Sequence, residues 1–229
     1  MSQQKTLHYT PPTRVRRTLV VTGFLILGAL LFITMYSNVR NNNSFATLDL
    51  PVLQWMMAHR SPFLTDAMLV LTNLMSPVIF AGSVIIGAGV WAWRRKEYWR
   101  PLLLMGSMAT ALVTYTAIKN IVERGRPPVV DMVPPFELDF AFPSGHTIGI
   151  AVCLLVAGYL VYSRHRTTRV LLAWGSAAII GTVLVAFSRL YLGYHWITDV
   201  SASVGLAIII LALVMAIDPL EPKRPKATS

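Results

Sequence analysis

Three short stretches hold the residues able to do chemistry on an anion: "KNIVERGRP" from Lys119 to Pro127, "PSGH" from Pro143 to His146, and "SRLYLGYHWITD" from Ser188 to Asp199. In the third, His195 and Asp199 stand four residues apart, a spacing that puts both on one face of a helix. A carboxylate there can hold one ring nitrogen as N–H, fix the tautomer and leave the other nitrogen as a nucleophile. Lys119, Arg126 and Arg189 add charge, Arg as a two-pronged donor and Lys as a point charge. Such a set suits phosphoryl transfer, where most of the catalysis is positioning and neutralisation of the equatorial oxygens. His146 is the spare imidazole for proton transfer, a role that contributes roughly 10² to 10⁴ in rate. In front of it, Pro143 suits the start of a helix and Ser144 its cap. Gly145 lets the backbone approach a ligand, and the free amides of the first turn attract an anion.

These clusters need elements to bring them together, and the composition says which kind. The chain has 229 residues, of which 55% are apolar and only 13% charged. Six apolar runs stand out: Leu19 to Tyr36, Ala67 to Trp93, Leu102 to Ile118, Ile148 to Tyr162, Val170 to Phe187 and Val200 to Ile217. A helix needs roughly 17 to 25 such residues to cross a bilayer, and the fourth run reaches that length only if it starts near Ser144. The expected fold is all-α, a six-transmembrane helix bundle. No small-residue cleavage site follows the first run, which reads as an uncleaved anchor. Pro77 should kink the second.

Fourteen of the twenty Lys and Arg fall in every other connection: the N-terminal tail (Lys5, Arg14, Arg16, Arg17), the second link (Arg94, Arg95, Lys96, Arg100), the fourth link (Arg164, Arg166, Arg169) and the C-terminal tail (Lys223, Arg224, Lys226). That alternation predicts both termini in the cytoplasm, and the net charge of +10 then reports topology and not nucleic-acid binding. The domain plan is a cytoplasmic tail over 1–17, a membrane domain over 18–218 containing the motif region 119–199, and a second tail over 219–229. Of the six remaining cations, Arg40, Arg60, Lys119, Arg124, Arg126 and Arg189, four gather at the outer ends of spans or in the third link, where an ionisable group is a functional candidate.

Two outer connections have character of their own. "LDLPVLQWMMAHRSP" suits a short helix in the interface, with Asp49 as its N-cap and Leu50, Leu53, Met56 and Met57 on one face; a connector packed on the bundle fits equally well. The third link, from Asn120 to Pro143, concentrates Glu123, Asp131, Glu137 and Asp139, which suit either control of substrate access or the solubility of the loop. The single cysteine, Cys153, excludes an internal disulfide, and the absence of Cys and His at ligand spacing argues against structural zinc.

The three clusters resemble the signature of the type 2 phosphatidic acid phosphatase superfamily, K-x6-R-P, P-S-G-H and S-R-x5-H-x3-D. Lys119 to Pro127 fits the first, Pro143 to His146 the second, and Ser188, Arg189, His195 and Asp199 the third, without departure. The resemblance implies a phosphohistidine mechanism with no metal and no cofactor. By it His195 attacks phosphorus, Asp199 orients the imidazole, and His146 protonates the leaving oxygen and later activates water. Lys119, Arg126, Arg189, Ser144 and the Gly145 amide would bind phosphate oxygens. The expectation is therefore a lipid phosphatase of the plasma membrane with its site facing outward. Its partners are membrane lipids and a lipid phosphate such as undecaprenyl diphosphate, phosphatidylglycerol phosphate or phosphatidic acid. A small soluble phosphate ester is the rival substrate. An anion transporter is the rival class, disfavoured because no internal repeat or matching pair of interrupted helices is present.

Overall fold

Every regular element among the described residues is helical. The computed structural model describes residues 14–218, apart from the side chains of Arg14 and Val78. Lys5, Lys223, Arg224 and Lys226 lie outside these residues, as does the tail over 219–229. Eight α-helices follow one another: α1 (Arg14–Asn41), α2 (Asp49–Ala58), α3 (Pro62–Leu74), α4 (Pro77–Arg95), α5 (Trp99–Val122), α6 (Gly145–His165), α7 (Thr168–Tyr191) and α8 (Ile197–Ile217). Each of α1, α5, α6, α7 and α8 is long and apolar enough to cross a membrane. The pair α3 and α4, bent by 51°, supplies the sixth crossing when taken as one broken span.

The break has a local cause. Ser76 is the N-cap of α4 and Pro77 occupies its first turn, where a missing N–H costs nothing, so the proline starts a new helix instead of bending an old one. Similar grammar opens α6, which begins at Gly145 behind Ser144 and so gains the length that the apolar run from Ile148 lacked. Helix α1 begins at Arg14, so residues 14–17 are already helical. Helix α2 lies between the first two spans as expected, but its N-cap is Leu48. Asp49 is the first helical residue, and its carboxylate is bonded to a distant part of the chain.

Helices α6 and α8 form the centre. Ile148, Val152 and Val156 of α6, spaced one turn apart and fully buried, pack with Ala207, Ile210 and Leu211 of α8 and with Leu104 and Ala111 of α5. The other helices wrap this pair and turn apolar side chains outward, among them Ile26, Leu30 and Ile33 of α1 and Ile179, Ile180 and Val183 of α7. So much exposed apolar surface needs a lipid solvent.

Two contacts set α1 against α8. Gly28 and Gly205 face one another so closely that a Cβ on Gly28 would lie 2.7 Å from the Gly205 oxygen, and one on Gly205 would lie 2.8 Å from the Phe32 nitrogen. Arg17 closes one end of the pair, donating to the carbonyls of Met215 and Asp218 at 2.6 Å each. The start of α1 and the end of α8 therefore share one end of the bundle, as an even number of crossings requires. Arg100 lies at that end too and donates to the Leu160 carbonyl at 2.7 Å. At the opposite end gather the end of α5, the start of α6, the end of α7 and the start of α8, which carry the three clusters.

Replacing Gly205 with Ala forces the two backbones apart and should cost about 1–3 kcal/mol. A thermal melt in detergent should show a lowered Tm for Gly205→Ala and none for Gly87→Ala, whose added methyl meets nothing within 4 Å.

Candidate active site

His195 lies in the turn before α8 and Asp199 in its first turn, so the two do not share a helix face as their spacing predicted; the turn into α8 makes the contact instead, with Nδ1 of His195 3.3 Å from Oδ2 of Asp199. The Trp196 amide donates to the same oxygen at 2.9 Å. On the other side of the ring, Nη1 of Arg126 lies 3.2 Å from Nε2. A guanidinium can only donate and a carboxylate can only accept. The two partners together dictate the tautomer: Nδ1 carries the proton and Nε2 presents a lone pair. Burial, then the charges of Arg126, Arg189 and Lys119, push the imidazole well below its ordinary value of 6.5. His195 is therefore the neutral free base at neutral pH.

Arg126 also donates to the Tyr194 carbonyl at 2.5 Å, a bond that ties the start of the third link to the α7–α8 turn. Beside it a polar cavity of about 240 Å³ is lined by Lys119, Arg126, Glu137, Asp139, Gly145, His146 and His195. Of the sequence-predicted residues, Lys119, Arg126, Gly145, His146 and His195 thus share one wall. Arg189 is 1% exposed and joins through Glu137; its Cζ lies 4.5 Å from the centre of the Tyr194 ring, and Nη1 donates to Thr72 at 2.7 Å. Asp199 sits behind His195. Ser144 is fully buried behind the wall: its hydroxyl accepts from the amide and hydroxyl of Thr147, and its amide donates to Ser203 at 2.8 Å. Gly145 is where the α6 backbone meets Tyr115, whose ring would lie 3.1 Å from a Cβ.

A family model described as the PAP2 superfamily matches residues 100–222. The chain belongs to the PAP2 superfamily. It is 30% identical over 195 residues to the phosphatidylglycerophosphatase B of Bacillus subtilis (strain 168), covering 82% of this chain and 92% of that one. The phosphatidylglycerophosphatase B of Escherichia coli (strain K12) is 28% identical over 169 residues, 65% of this chain and 63% of that one. Among solved structures, the first transmembrane PAP2 type phosphatidylglycerolphosphate phosphatase, from Bacillus subtilis, superposes with a TM-score of 0.70 at 26% identity, over 83% of this chain and 94% of that one. This chain is a multi-pass membrane lipid phosphatase of that superfamily.

In this PAP2 enzyme the polar cavity does not end at the helix tips. It shares Pro77, Tyr115, Gly145 and His146 with an apolar groove of about 280 Å³ between α4, α5 and the start of α6, lined also by Phe80, Val84, Met105, Met108 and Leu112. The acidic link reaches into the polar part. Glu137 pairs with Arg126 at 2.9 Å through one oxygen and with Arg189 through the other. Asp139 takes Arg126 at 2.5 Å and Lys119 on its two oxygens. Burial works to raise the Asp139 carboxyl, but the bond from Lys119 and the charge of Arg126 prevail and hold it below the ordinary carboxylate range, so it stays ionised. Sequence reading left these acids between access control and solubility; their contacts place two of them on the cations. Asp49, Thr72 and Ser203 were missed altogether. For Asp49 the available signal was a carboxylate in an otherwise apolar surface helix.

If the cavity takes a phosphate, that phosphate must compete with Glu137 and Asp139 for the cations they hold. Glu137→Gln should lower the KM for a lipid phosphate by roughly 2- to 10-fold, equivalent to about 1 kcal/mol. Asp139→Asn should do less, because its side chain is 61% exposed against 27% for Glu137 and exposed pairs are weak. Initial-rate kinetics in mixed micelles check both; a raised KM would mean that the acids assemble the cavity instead of competing for it.

Proposed function

We propose that the enzyme hydrolyses the phosphomonoester or diphosphate of a membrane lipid at the outer face of the plasma membrane, through a phosphohistidine on His195. The observation that carries this reading is the pairing of the imidazole on both sides, Asp199 on Nδ1 and Arg126 on Nε2. It leaves an unprotonated nitrogen at the wall of a cationic cavity that opens onto an apolar groove. A phosphate seated among Lys119, Arg126 and Arg189 presents phosphorus to Nε2. The N–P bond forms as the O–P bond to the lipid breaks, and His146 donates a proton to the departing oxygen. Water then gives its proton back to His146 and attacks the phosphohistidine, which releases inorganic phosphate and restores the free imidazole.

The three cations supply the neutralisation that phosphoryl transfer needs, so the reading requires no metal and no cofactor. Further support comes from Nε of Arg189, the single buried side-chain polar atom among the described residues without a hydrogen-bond partner. A donor left in that state calls for an acceptor such as a phosphate oxygen. Gly145 adds the amide of the first α6 turn, and Ser144 contributes by capping that turn. The apolar groove favours a lipid over a small soluble ester, since it offers about 280 Å³ of hydrocarbon-lined space beside His146. Phosphatidylglycerol phosphate is the first headgroup to try, on the strength of what the relatives are named for, ahead of undecaprenyl diphosphate and phosphatidic acid.

The basic ends of the helices and the shared end of α1 and α8 support cytoplasmic termini, with tails over 1–17 and 219–229 around a catalytic membrane unit over 18–218. In intact cells an impermeant thiol reagent should label Val130→Cys, in the exposed third link, and spare Tyr98→Cys in the second. The reverse pattern would invert the orientation.

Phosphate release from detergent-solubilised protein should persist in excess EDTA and should rank lipid phosphates above a soluble ester. His195→Ala should lower kcat by roughly 10³-fold or more. Activity that vanishes in EDTA and returns with magnesium, or turnover that survives in His195→Ala, would overturn the mechanism.

A further inference from the structure

His195 and Asp199 form a pair with two ends, and each end is held by an arginine. Arg126 holds the Nε2 end from inside the phosphate cavity. Arg124, two residues earlier and outside that cavity, holds the carboxylate end. The chain leaves α5 through Glu123, whose backbone is left-handed at φ 49, and this turn lets the two guanidinium groups reach opposite ends of the same pair. Arg124 is one of the six unspecified residues within the K-x6-R-P pattern.

The contacts of Arg124 are those of a clamp. Nη1 donates to Oδ1 of Asp199, and also to the Thr198 hydroxyl at 2.7 Å. Nη2 donates to Oδ2 of Asp49 at 2.5 Å. Asp49 is in turn fixed to the start of α8, accepting from the Thr198 amide at 3.1 Å and from its hydroxyl at 3.0 Å. The three charged side chains are 15%, 7% and 0% exposed for Arg124, Asp49 and Asp199. Oδ2 of Asp199 is already taken by His195 and the Trp196 amide. Arg124 is the donor that holds Oδ1, so it fixes the plane of the carboxylate and balances its charge where no water reaches.

Resting on the phosphohistidine reading above, we infer that Arg124 is a positioning residue for the transfer step, anchored by Asp49 of the surface helix α2, and acts on the reaction through Asp199 and not through the substrate. A group of that kind changes turnover while leaving phosphate affinity alone. Arg126, which faces the cavity, changes both.

The test is steady-state kinetics on the purified full chain in detergent, with a lipid phosphate that the unaltered enzyme turns over. Arg124→Gln should lower kcat by about 10- to 100-fold, the scale on which second partners of a functional histidine act, with KM within about twofold. Arg124→Lys should recover a good part of kcat, since it keeps the charge beside Asp199 but cannot bridge both carboxylates. Asp49→Asn should fall between the two. A rise in KM at unchanged kcat would make Arg124 a substrate-binding residue, and wild-type kinetics in folded Arg124→Gln would leave it no role; either result overturns the inference. Should Arg124→Gln fail to fold, Asp49→Asn carries the same test, with lowered kcat at constant KM expected and wild-type kcat fatal. His195→Ala run in parallel separates the two levels. If it remains active the underlying mechanism falls, whereas an inactive His195→Ala beside a fully active Arg124→Gln removes only the positioning role.

Discussion

Cations gathered at one end of an apolar helix bundle are the constraint on which that end of the structure depends. The side chains of Lys119, Arg126 and Arg189 are 11%, 5% and 1% exposed. Removing such ions from water costs several kcal/mol each. Like charges held close together also repel, by about 4 kcal/mol for a pair about 4 Å apart at an effective dielectric of about 20. The bundle answers with shared carboxylates: Glu137 bridges Arg126 and Arg189, and Asp139 bridges Arg126 and Lys119. A phosphate monoester can bring a comparable negative charge on three oxygens gathered around one atom. The acidic link is thus matched in kind to the ligand proposed for the cavity, and the cations can stay buried whichever anion they hold.

The same field acts on His195. An imidazole surrounded by three cations cannot easily charge, and a free base is what a nucleophile must be. Activation in this reading comes from burial and from the neighbouring cations, while Asp199 supplies orientation. That division explains why Asp199 is itself held so firmly. Its first oxygen takes the guanidinium of Arg124 and its second takes the Trp196 amide, so the carboxylate has one orientation in which to meet Nδ1. The helix start contributes as well, because the turn that carries Asp199 is the turn whose amides it accepts.

What could be read from the sequence was whatever local spacing controls. The His195–Asp199 pairing was legible in its spacing, although His195 stands in the turn before α8 and not on the helix; the start of α6 follows from a Ser-Gly pair, and the crossings from runs of apolar residues. Reading failed where one residue plays two grammatical parts. Asp49 looks like a cap because it precedes an apolar helix, yet its carboxylate answers Arg124, 75 residues away. Ser144 is the cap that its place before an apolar run predicts, accepting from the Thr147 amide. Pro77 read as a kink within one span, but it occupies the first turn of a new helix, with Ser76 before it held in an extended conformation. Glu137 was one of four acids in a polar link, and nothing within the link reveals that Arg189 lies opposite, 52 residues on. Such pairings are set by how α5, α6, α7 and α8 converge, which no single stretch encodes.

The partition between rigid and adjustable parts follows from where each charge is attached. Lys119, His146, Arg189 and Asp199 stand on helix ends rooted in the α5, α6 and α8 core or packed against it, and their positions are fixed by buried contacts along whole spans. Glu137 and Asp139 stand on a stretch of the third link that forms no helix, with side chains 27% and 61% exposed. On the proposed function, exchanging the acids for a substrate phosphate would leave the helix-borne groups Lys119, His146, Arg189 and Asp199 in place and ask only the stretch of the link around Glu137 and Asp139 to rearrange. Lys119 and Arg189 are held by spans, whereas Arg126 stands on the same link as the two acids and is held by its bond to the Tyr194 carbonyl. That arrangement lets the enzyme keep its cations permanently desolvated, as differential stabilisation of a phosphoryl transition state demands, without requiring the bundle to open at each turnover.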